Sequence, residues 1–235
     1  MKTLKSIIVV ALLVLSSGNA FSQMRGSDTI RYNDGSFFIG KGYVGGVLNG
    51  FGTMVWITGE KYIGDWKDSK QNGFGTMIWA NGDVYTGYWV NNKKEGEGTM
   101  IWATGDTYTG SWKNDLRTGK GTMVWHTKDL YYGDWVEGRK EGKGMLTWAN
   151  GTSYNGQWKN DQQDGQGNMR WLTGDHYVGE WKANKKEGKG EMRWANGDHY
   201  EGEFKNGLVD GMGTMTYGAT ETVYKGQWKE NKFVK

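Results

Sequence analysis

The sequence has no cysteine and only three histidines among its 235 residues. Without cysteine there can be no disulfide and no Cys–His catalytic pair, so packing and hydrogen bonds must stabilise the fold. The histidines are His126, His176 and His199. His176 and His199 occupy equivalent positions of the repeat described below. One repeat of separation argues against a shared zinc site.

An excess of charge of one sign is lacking as well. The whole chain has 29 basic and 26 acidic residues, and removal of a leader that contains Lys2 and Lys5 leaves 27 against 26, a net charge of +1. A chain this close to neutrality gives no reason to expect a polyanionic partner, so no nucleic acid is expected.

The only long apolar run, Ile7 to Leu15, is too short to span a bilayer comfortably. Lys2 and Lys5 precede it, and small residues such as Ala20 follow it. This pattern predicts a secretory signal peptide over residues 1–22, with cleavage after Ala20 or Ser22. We therefore expect an exported protein that is periplasmic, on the outer surface or secreted. Residues 23–31 form a short lead.

Aromatic residues and glycine are abundant, with Trp 14, Tyr 13 and Gly 40, and they recur with a period of 23 residues. The motif Tyr-x-Gly-x-Trp, with Phe204 for the tryptophan in one copy, is followed by Gly-x-Gly-x-Met-x-Trp or a close variant in every copy but the last. Its tyrosines are Tyr62, Tyr85, Tyr108, Tyr131, Tyr154, Tyr177, Tyr200 and, after one extra residue, Tyr224. Residues 32–235 are thus predicted to hold eight full repeats, from Phe38 to Val223, with half a repeat at each end.

These two motifs, followed by Asn-Gly-Asp, resemble the MORN repeat family, and the resemblance covers essentially all of the predicted mature chain. It implies an all-β fold: an elongated, single-layer antiparallel array of β-hairpins. It also implies scaffold and membrane-proximal roles. Enzymes of this family carry a separate catalytic domain, and no residues remain here for one. We therefore expect no enzyme activity, catalytic residue or cofactor.

Alternation along a strand places Tyr62, Gly64 and Trp66 on one face, which we call the ladder face. The expected pairing sets Trp66 opposite Gly75. Ala80-Asn81-Gly82 is predicted to be a three-residue turn with left-handed Gly82, because an odd loop keeps the ladder in phase. In another repeat Lys128 replaces that glycine, so its turn should be strained or looser. The other connection, residues 67–72, is predicted to be a longer polar loop.

The recurring acids do not form a catalytic or metal-binding pair. They lie beside the turns, at Asp83, Asp106, Asp175 and Asp198. Neighbouring copies should be roughly 10 Å apart, too far for a glycosidase pair or a single metal ion. We interpret them as structural and predict no metal site.

Binding is therefore the expected activity, and two surfaces are candidates. The face opposite the ladder, the second face, is apolar in the early repeats and charged later. Its candidate partner residues are Phe51, Val55, Ile63, Phe74, Ile78, Tyr88, Val90, Ile101 and Val124. The predicted long loops carry the basic pairs Lys93-Lys94, Arg139-Lys140 and Lys185-Lys186.

The leading hypothesis is a non-enzymatic scaffold of the cell envelope or exterior that binds another protein, or a second copy as a homodimer, through the second face. The alternative is a binder of membrane phospholipid or glycan surfaces. It would use the basic pairs or the aromatic ladder.

Overall fold

A computed structural model describes residues 28–235, which are strands and turns with no helix. The predicted signal peptide and residues 23–27 lie outside this range. No helix within it is long and apolar enough to cross a membrane. Nineteen strands form a single antiparallel sheet, and two more form a separate small hairpin. The all-β hairpin array is therefore confirmed.

The strands follow one another in a meander, interrupted only by the small hairpin of β3 and β4. Their bounds are β1 Asp28–Arg31, β2 Phe37–Gly40, β3 Tyr43–Val44, β4 Val47–Leu48, β5 Gly50–Val55, β6 Lys61–Lys67, β7 Lys70–Ile78, β8 Val84–Val90, β9 Lys93–Ile101, β10 Thr107–Lys113, β11 Leu116–Val124, β12 Leu130–Val136, β13 Arg139–Thr147, β14 Ser153–Lys159, β15 Gln162–Arg170, β16 His176–Lys182, β17 Lys185–Arg193, β18 His199–Lys205, β19 Leu208–Tyr217, β20 Thr222–Lys229 and β21 Lys232–Phe233. At roughly 10 Å per repeat, eight repeats span on the order of 80 Å.

The glycine turns have the predicted geometry. Gly82 has a φ of +92° and donates its N–H to the Trp79 carbonyl at 2.9 Å. Lys128 is forced into the same left-handed region, with a φ of +76°, and it still donates to the Trp125 carbonyl at 2.8 Å. The lysine turn is therefore strained, as predicted, but it keeps the hydrogen bond of the glycine turns and is not looser.

The prediction of a long polar loop over residues 67–72 was wrong. The connection is a two-residue turn, Asp68-Ser69, with φ of +49° and +59°, as in type I′. Strand β7 begins at once, at Lys70. The additional residues are absorbed by an irregularity in the β6–β7 register between Gly64 and Trp66.

This irregularity changes the register that the sequence led us to expect. Gly75 lies opposite Gly64, not opposite Trp66, and Trp66 lies opposite Gln71. A side chain at Gly75 would overlap the Tyr62 ring, since a Cβ there would be within 2.7 Å of Tyr62 Cε2 and closer still to Cζ. The paired glycines therefore make room for a tyrosine, and the predicted contact with tryptophan was wrong.

The ladder face forms the core. Tyr85 packs edge-to-face between Trp89 of its own strand and Trp112 of the next repeat, with ring centroids 5.0 and 5.4 Å apart. Its hydroxyl donates to the Tyr88 carbonyl at 3.2 Å, and Trp89 Nε1 donates to the Gly75 carbonyl at 3.2 Å. The equivalent tyrosines from Tyr62 to Tyr200 all have zero exposure. Each aromatic pair adds roughly 0.5–1.5 kcal/mol beyond simple burial.

Side chains at both kinds of turn connect each repeat to the next. Asp83 Oδ1 accepts the backbone N–H of Ala103 at 2.8 Å. At the opposite edge, Asn92 Oδ1 accepts the N–H of Gln71 at 2.7 Å, and Glu95 Oε2 accepts that of Asn114 at 3.0 Å. These bonds join residues 19 to 21 positions apart, so they connect neighbouring repeats.

Candidate functional site

The structure places all nine candidate partner residues on the second face. Direct pairing across the strands arranges them in rows. The row nearest the glycine turns runs from Val55 through Ile78 and Ile101 to Val124, with Lys61 and Thr107 among the residues that lie between them. Ile63 lies in the middle row, between Thr53 and Thr76. The third row contains Phe51, Phe74 and Tyr88, and Val90 pairs with Lys93 beside the type I′ turn.

Exposure divides these residues into two groups. Phe51, Phe74, Tyr88 and Val90 are 54%, 49%, 53% and 45% exposed. The other five are half-buried. The Phe74 and Tyr88 rings meet edge-to-face at 5.4 Å. Asp65 pairs with Phe51 and lies between it and Phe74. We call Phe51, Phe74 and Tyr88 the aromatic cluster.

Tyr88 stands where most repeats carry an acid or an amide. Elsewhere this side chain accepts the backbone N–H of the neighbouring strand: Asp65 Oδ2 accepts from Phe74 at 3.1 Å, and Glu203 Oε2 accepts from Met212 at 2.9 Å. The same bond is made by Asp134, Gln157 and Glu180. A phenol ring does not reproduce it, so Tyr88 does not hold the neighbouring backbone as these residues do.

The apolar surface extends beyond the residues that the sequence analysis selected. Val84 and Leu130 continue the first row, and Tyr132 and Met145 stand in the middle row at 56% and 43% exposure. Val84, Leu130 and Tyr132 lie on Tyr-x-Gly strands, and Met145 lies on a Gly-x-Gly strand. Strand alternation alone was sufficient to find them.

The later repeats present a charged second face. A groove of about 700 Å³ crosses it there, between Val178 and Met212. Its acidic lining is Glu180, Glu191, Glu201 and Glu203, with Lys189 among them. His199 Nε2 lies 3.0 Å from Glu191 Oε1. The face therefore changes from apolar to charged along the array.

The basic pairs are split between the two faces. Lys94, Lys140 and Lys186 turn onto the ladder, with Nζ 4.9 Å from the Trp112 ring, 4.3 Å from Trp158 and 5.2 Å from Phe204. Burial lowers the pKa of all three lysines. Arg117, which was not among the candidate residues, also lies over the ladder, with its Cζ 4.2 Å from the centre of the Trp135 ring.

Only the first member of each basic pair is solvent-exposed: Lys93, Arg139 and Lys185. These three are 46 residues apart along the chain, which is two repeats or roughly 20 Å. The acids beside the pairs are also engaged, since Glu141 and Glu187 accept turn N–H groups as Glu95 does. The positive charge available to an anionic surface is therefore half of what the pairs suggest.

The turn acids serve the backbone. Asp106 and Asp175 accept the N–H of the next repeat, as Asp83 does. A hydrogen bond from the backbone of His126 holds the pKa of Asp106 below its usual value. Burial lowers the pKa of His176, whose Nε2 is 2.7 Å from Asn168 Oδ1. Within residues 28–235, no three His, Asp or Glu side chains are grouped so that they could hold a metal ion.

A family model described as the MORN repeat matches nine segments: residues 42–61, 62–84, 85–107, 108–129, 131–153, 154–176, 177–199, 200–219 and 224–234. No curated protein matches the chain.

Among solved structures, the TCP10 domain of Danio rerio CPAP is similar, at 10% identity and a TM-score of 0.45, covering 83% of this chain and 91% of that one. The TCP domain of Drosophila melanogaster SAS-4, solved with a proline-rich motif of Ana2, matches at 15% identity and a TM-score of 0.40, covering 66% of this chain and 85% of that one. Similarity at this level carries no functional argument.

Proposed function

The chain belongs to the MORN repeat family, and from that premise we propose that it is a non-enzymatic scaffold that binds another protein through the apolar part of its second face. The aromatic cluster carries the proposal. Three large rings stand about half exposed on a sheet whose opposite face is already packed. Exposed aromatic surface of this kind is typical of protein interfaces, in which aromatic residues contribute much of the binding energy.

The rigidity of the array suits such a role. Phe74 and Tyr88 are fixed on neighbouring strands, so little side-chain freedom is lost when a partner covers them. The flanking threonines are held as well, with the hydroxyls of Thr76 and Thr86 at 3.0 Å. A partner would meet a preorganised surface that extends along several repeats. We propose that this happens after export, in the envelope or outside the cell, as the predicted signal peptide requires.

Site-specific crosslinking tests the proposal. A photoreactive phenylalanine analogue at Tyr88 should capture a partner protein in intact cells, whereas the same group at Gln166, which is also exposed on the second face, should not. Replacing Phe74 and Ile78 by lysine should abolish the Tyr88 product. The matched change of Gln166 and Arg170 to lysine should leave it intact. Equal capture from Tyr88 and Gln166 would refute the proposed site.

The alternative, attachment to anionic phospholipid, has one supporting observation: the exposed row of Lys93, Arg139 and Lys185. Three screened charges give weak attachment. Sedimentation with phosphatidylserine vesicles at low and high salt separates the two functions. Strong, salt-sensitive co-sedimentation that is lost when all three residues become glutamine would favour the lipid.

A further inference from the structure

The two edge strands of the described sheet are complementary halves of one repeat. At one edge, β20 carries Tyr224-x-Gly226-x-Trp228, the first half of the motif. Tyr224 is 42% exposed, whereas the equivalent tyrosines from Tyr62 to Tyr200 have zero exposure. Those seven are covered by the following strand and by the aromatic ring of the next repeat. The Tyr224 ring packs against the rings of Tyr217 and Phe233, with centroids 5.9 and 5.2 Å away.

The outer edge of β20 is only partly covered. Strand β21 pairs Phe233 with Trp228 and Lys232 with Lys229, as Gln71 and Lys70 pair with Trp66 and Lys67 inside the array. Next to it, Lys235 accepts the N–H of Gln227 and lies against Gly226. Thr222–Lys225 have no outer partner strand within residues 28–235. An open cavity of about 290 Å³, lined by Tyr217, Tyr224 and Phe233, lies there.

At the other edge, β1 has the features of the strand that β20 lacks. Ile30 pairs with Phe38 as Met54 pairs with Tyr62 inside the array. Tyr32 takes the place of the closing tryptophan, because its N–H donates to the Ser36 carbonyl at 2.9 Å as Trp56 donates to Glu60 at 3.0 Å. Within residues 28–235, β1 pairs only with β2, so its outer edge is open.

The lengths of β21 and β1 also agree with those of the two paired segments of an internal strand. An internal strand such as β7 has nine residues, of which the first two pair beside the type I′ turn and the last four pair with the Tyr-x-Gly segment. Strand β21 supplies the first two, and the four residues of β1 match the last four. We propose that β1 of a second copy of this chain docks on β20, head to tail, and that each junction rebuilds one complete repeat.

Internal repeats fix the register of this junction. Tyr200 faces Met215 and Gly202 faces Gly213, so Tyr224 would face Ile30 and Gly226 would face Asp28. Asp28 replaces the glycine that admits a tyrosine ring inside the array. Tyr224 can yield to it, because its hydroxyl makes none of the carbonyl hydrogen bonds that fix the others, such as the 3.2 Å bond from Tyr200 to Glu203. Asp28 is then placed to accept from that hydroxyl.

Both edges have backbone N–H and C=O groups that point outward, where a docked strand would lie. The N–H of Tyr32 points towards the β2 side of the strand, where it donates to the Ser36 carbonyl. Backbone N–H and C=O groups point to opposite sides at successive residues, so those of Thr29 point outward. On β20 the N–H of Gln227 donates outward to the Lys235 carbonyl at 2.7 Å, so those of Lys225 also face outward. Open edges of this kind pair readily with another strand. Because the two surfaces differ, the association is heterologous and grows into open filaments rather than closed dimers.

Proline in place of Thr29 or Lys225 removes an outward N–H and leaves the hydrogen bonds to the inner neighbouring strand intact. The test uses sedimentation velocity on the chain from residue 23 onward. The parent should form concentration-dependent oligomers, since one strand pair is a small interface. Thr29→Pro and Lys225→Pro should each be monomeric. Their mixture should form dimers only, because it contains a single intact pair of ends.

The other outcomes overturn the proposal. Oligomers that persist in Thr29→Pro alone would indicate tail-to-tail pairing, and oligomers in Lys225→Pro alone would indicate head-to-head pairing. Oligomers in both would place the contact on a face of the sheet, and a monomeric parent at all concentrations would exclude it. Circular dichroism confirms that the variants fold, and Leu172→Lys, at an exposed turn distant from both edges, is the control.

A second measurement does not depend on proline. The chain lacks cysteine, so Thr29→Cys with Lys225→Cys introduces the only two thiols. A short bifunctional thiol reagent should link this double variant into a ladder of oligomers. The single-cysteine variants should give no product beyond a dimer. If the double variant also stops at the dimer, head-to-tail assembly does not occur.

Discussion

Gly75 provides the sharpest test of the register. Its backbone conformation is ordinary, so alanine there introduces no φ strain. The new Cβ would instead overlap the Tyr62 ring. That ring cannot withdraw easily, because it is held between Trp66 and Trp89 at 5.0 and 5.7 Å and its hydroxyl donates to the Asp65 carbonyl at 3.1 Å.

The expected change in the free energy of unfolding for Gly75→Ala is the difference between two opposing effects. Overpacking a filled site costs about 1–3 kcal/mol. Replacing glycine by alanine in an ordinary conformation recovers ~0.4–1 kcal/mol through the unfolded chain. We therefore expect Gly75→Ala to lower the free energy of unfolding by about 1–2 kcal/mol, and Gly75→Val to lower it further.

A double-mutant cycle isolates the cause. Tyr62→Ala removes the ring and by itself should cost about 3–5 kcal/mol, as for other buried aromatic residues. With the ring gone, Gly75→Ala should cost nothing, so the two changes should couple by at least ~1 kcal/mol. Urea denaturation followed by tryptophan fluorescence measures each corner of the cycle.

Thr76→Val is the matched control, because Thr76 is on the second face and contacts Thr86 rather than Tyr62. It should cost about 1 kcal/mol for the lost hydrogen bond and should be additive with Tyr62→Ala. If Gly75→Ala is also additive with Tyr62→Ala, the assignment of Tyr62 as the group that needs the glycine is wrong.

Three further predictions follow from turns, titration and targeting. Lys128→Gly should raise the free energy of unfolding by ~0.5–1 kcal/mol, measured by urea denaturation, because it relieves a left-handed lysine. Burial raises the pKa of the ladder tyrosines, to about 12 for Tyr200, so their contribution to stability is complete below the unfolded pKa of about 10 and is lost as the pH rises above it. The free energy of unfolding should therefore fall above about pH 10, by up to ~1.4 kcal/mol per pH unit for each tyrosine, and urea midpoints that stay level would contradict this burial. Residues 1–23 fused to a reporter should direct its export with cleavage, and an uncleaved reporter that remains in the cytoplasm would contradict the signal peptide.

The sequence was sufficient to predict the hairpin array and the glycine turns. Period and parity place Tyr85 and Trp79 on one face and require a three-residue turn such as Ala80-Asn81-Gly82. Period and parity could not predict the turn between β6 and β7, because Asp68-Ser69 lacks the glycine that is found in most type I′ turns. Without that turn the register irregularity after Gly64 could not be inferred, and the pairing of Gly75 was misassigned.

The same error affected the candidate site. Lys94 was assigned to a loop, although it shares its parity with Gly98 and Met100 of the ladder face. Had β9 been extended back to Lys93, strand alternation would have turned Lys94 inward. The second-face residues were easier to place, since Phe74 and Ile78 differ by an even number of positions. What lies in contact with an exposed ring is a property of the partner, which no pattern within this chain specifies.

The direction of the strands has a mechanical consequence. They run across the long axis of the sheet, so a pull applied to its two ends loads the hydrogen bonds of one strand pair at a time. The bonds therefore open in sequence, like a zipper, and do not share the load. Each 23-residue repeat that peels away releases about 70 Å of chain beyond its folded length. Stretching should therefore produce a regular series of small force peaks, and a protein of this design would act as an extensible tether between whatever holds its two ends.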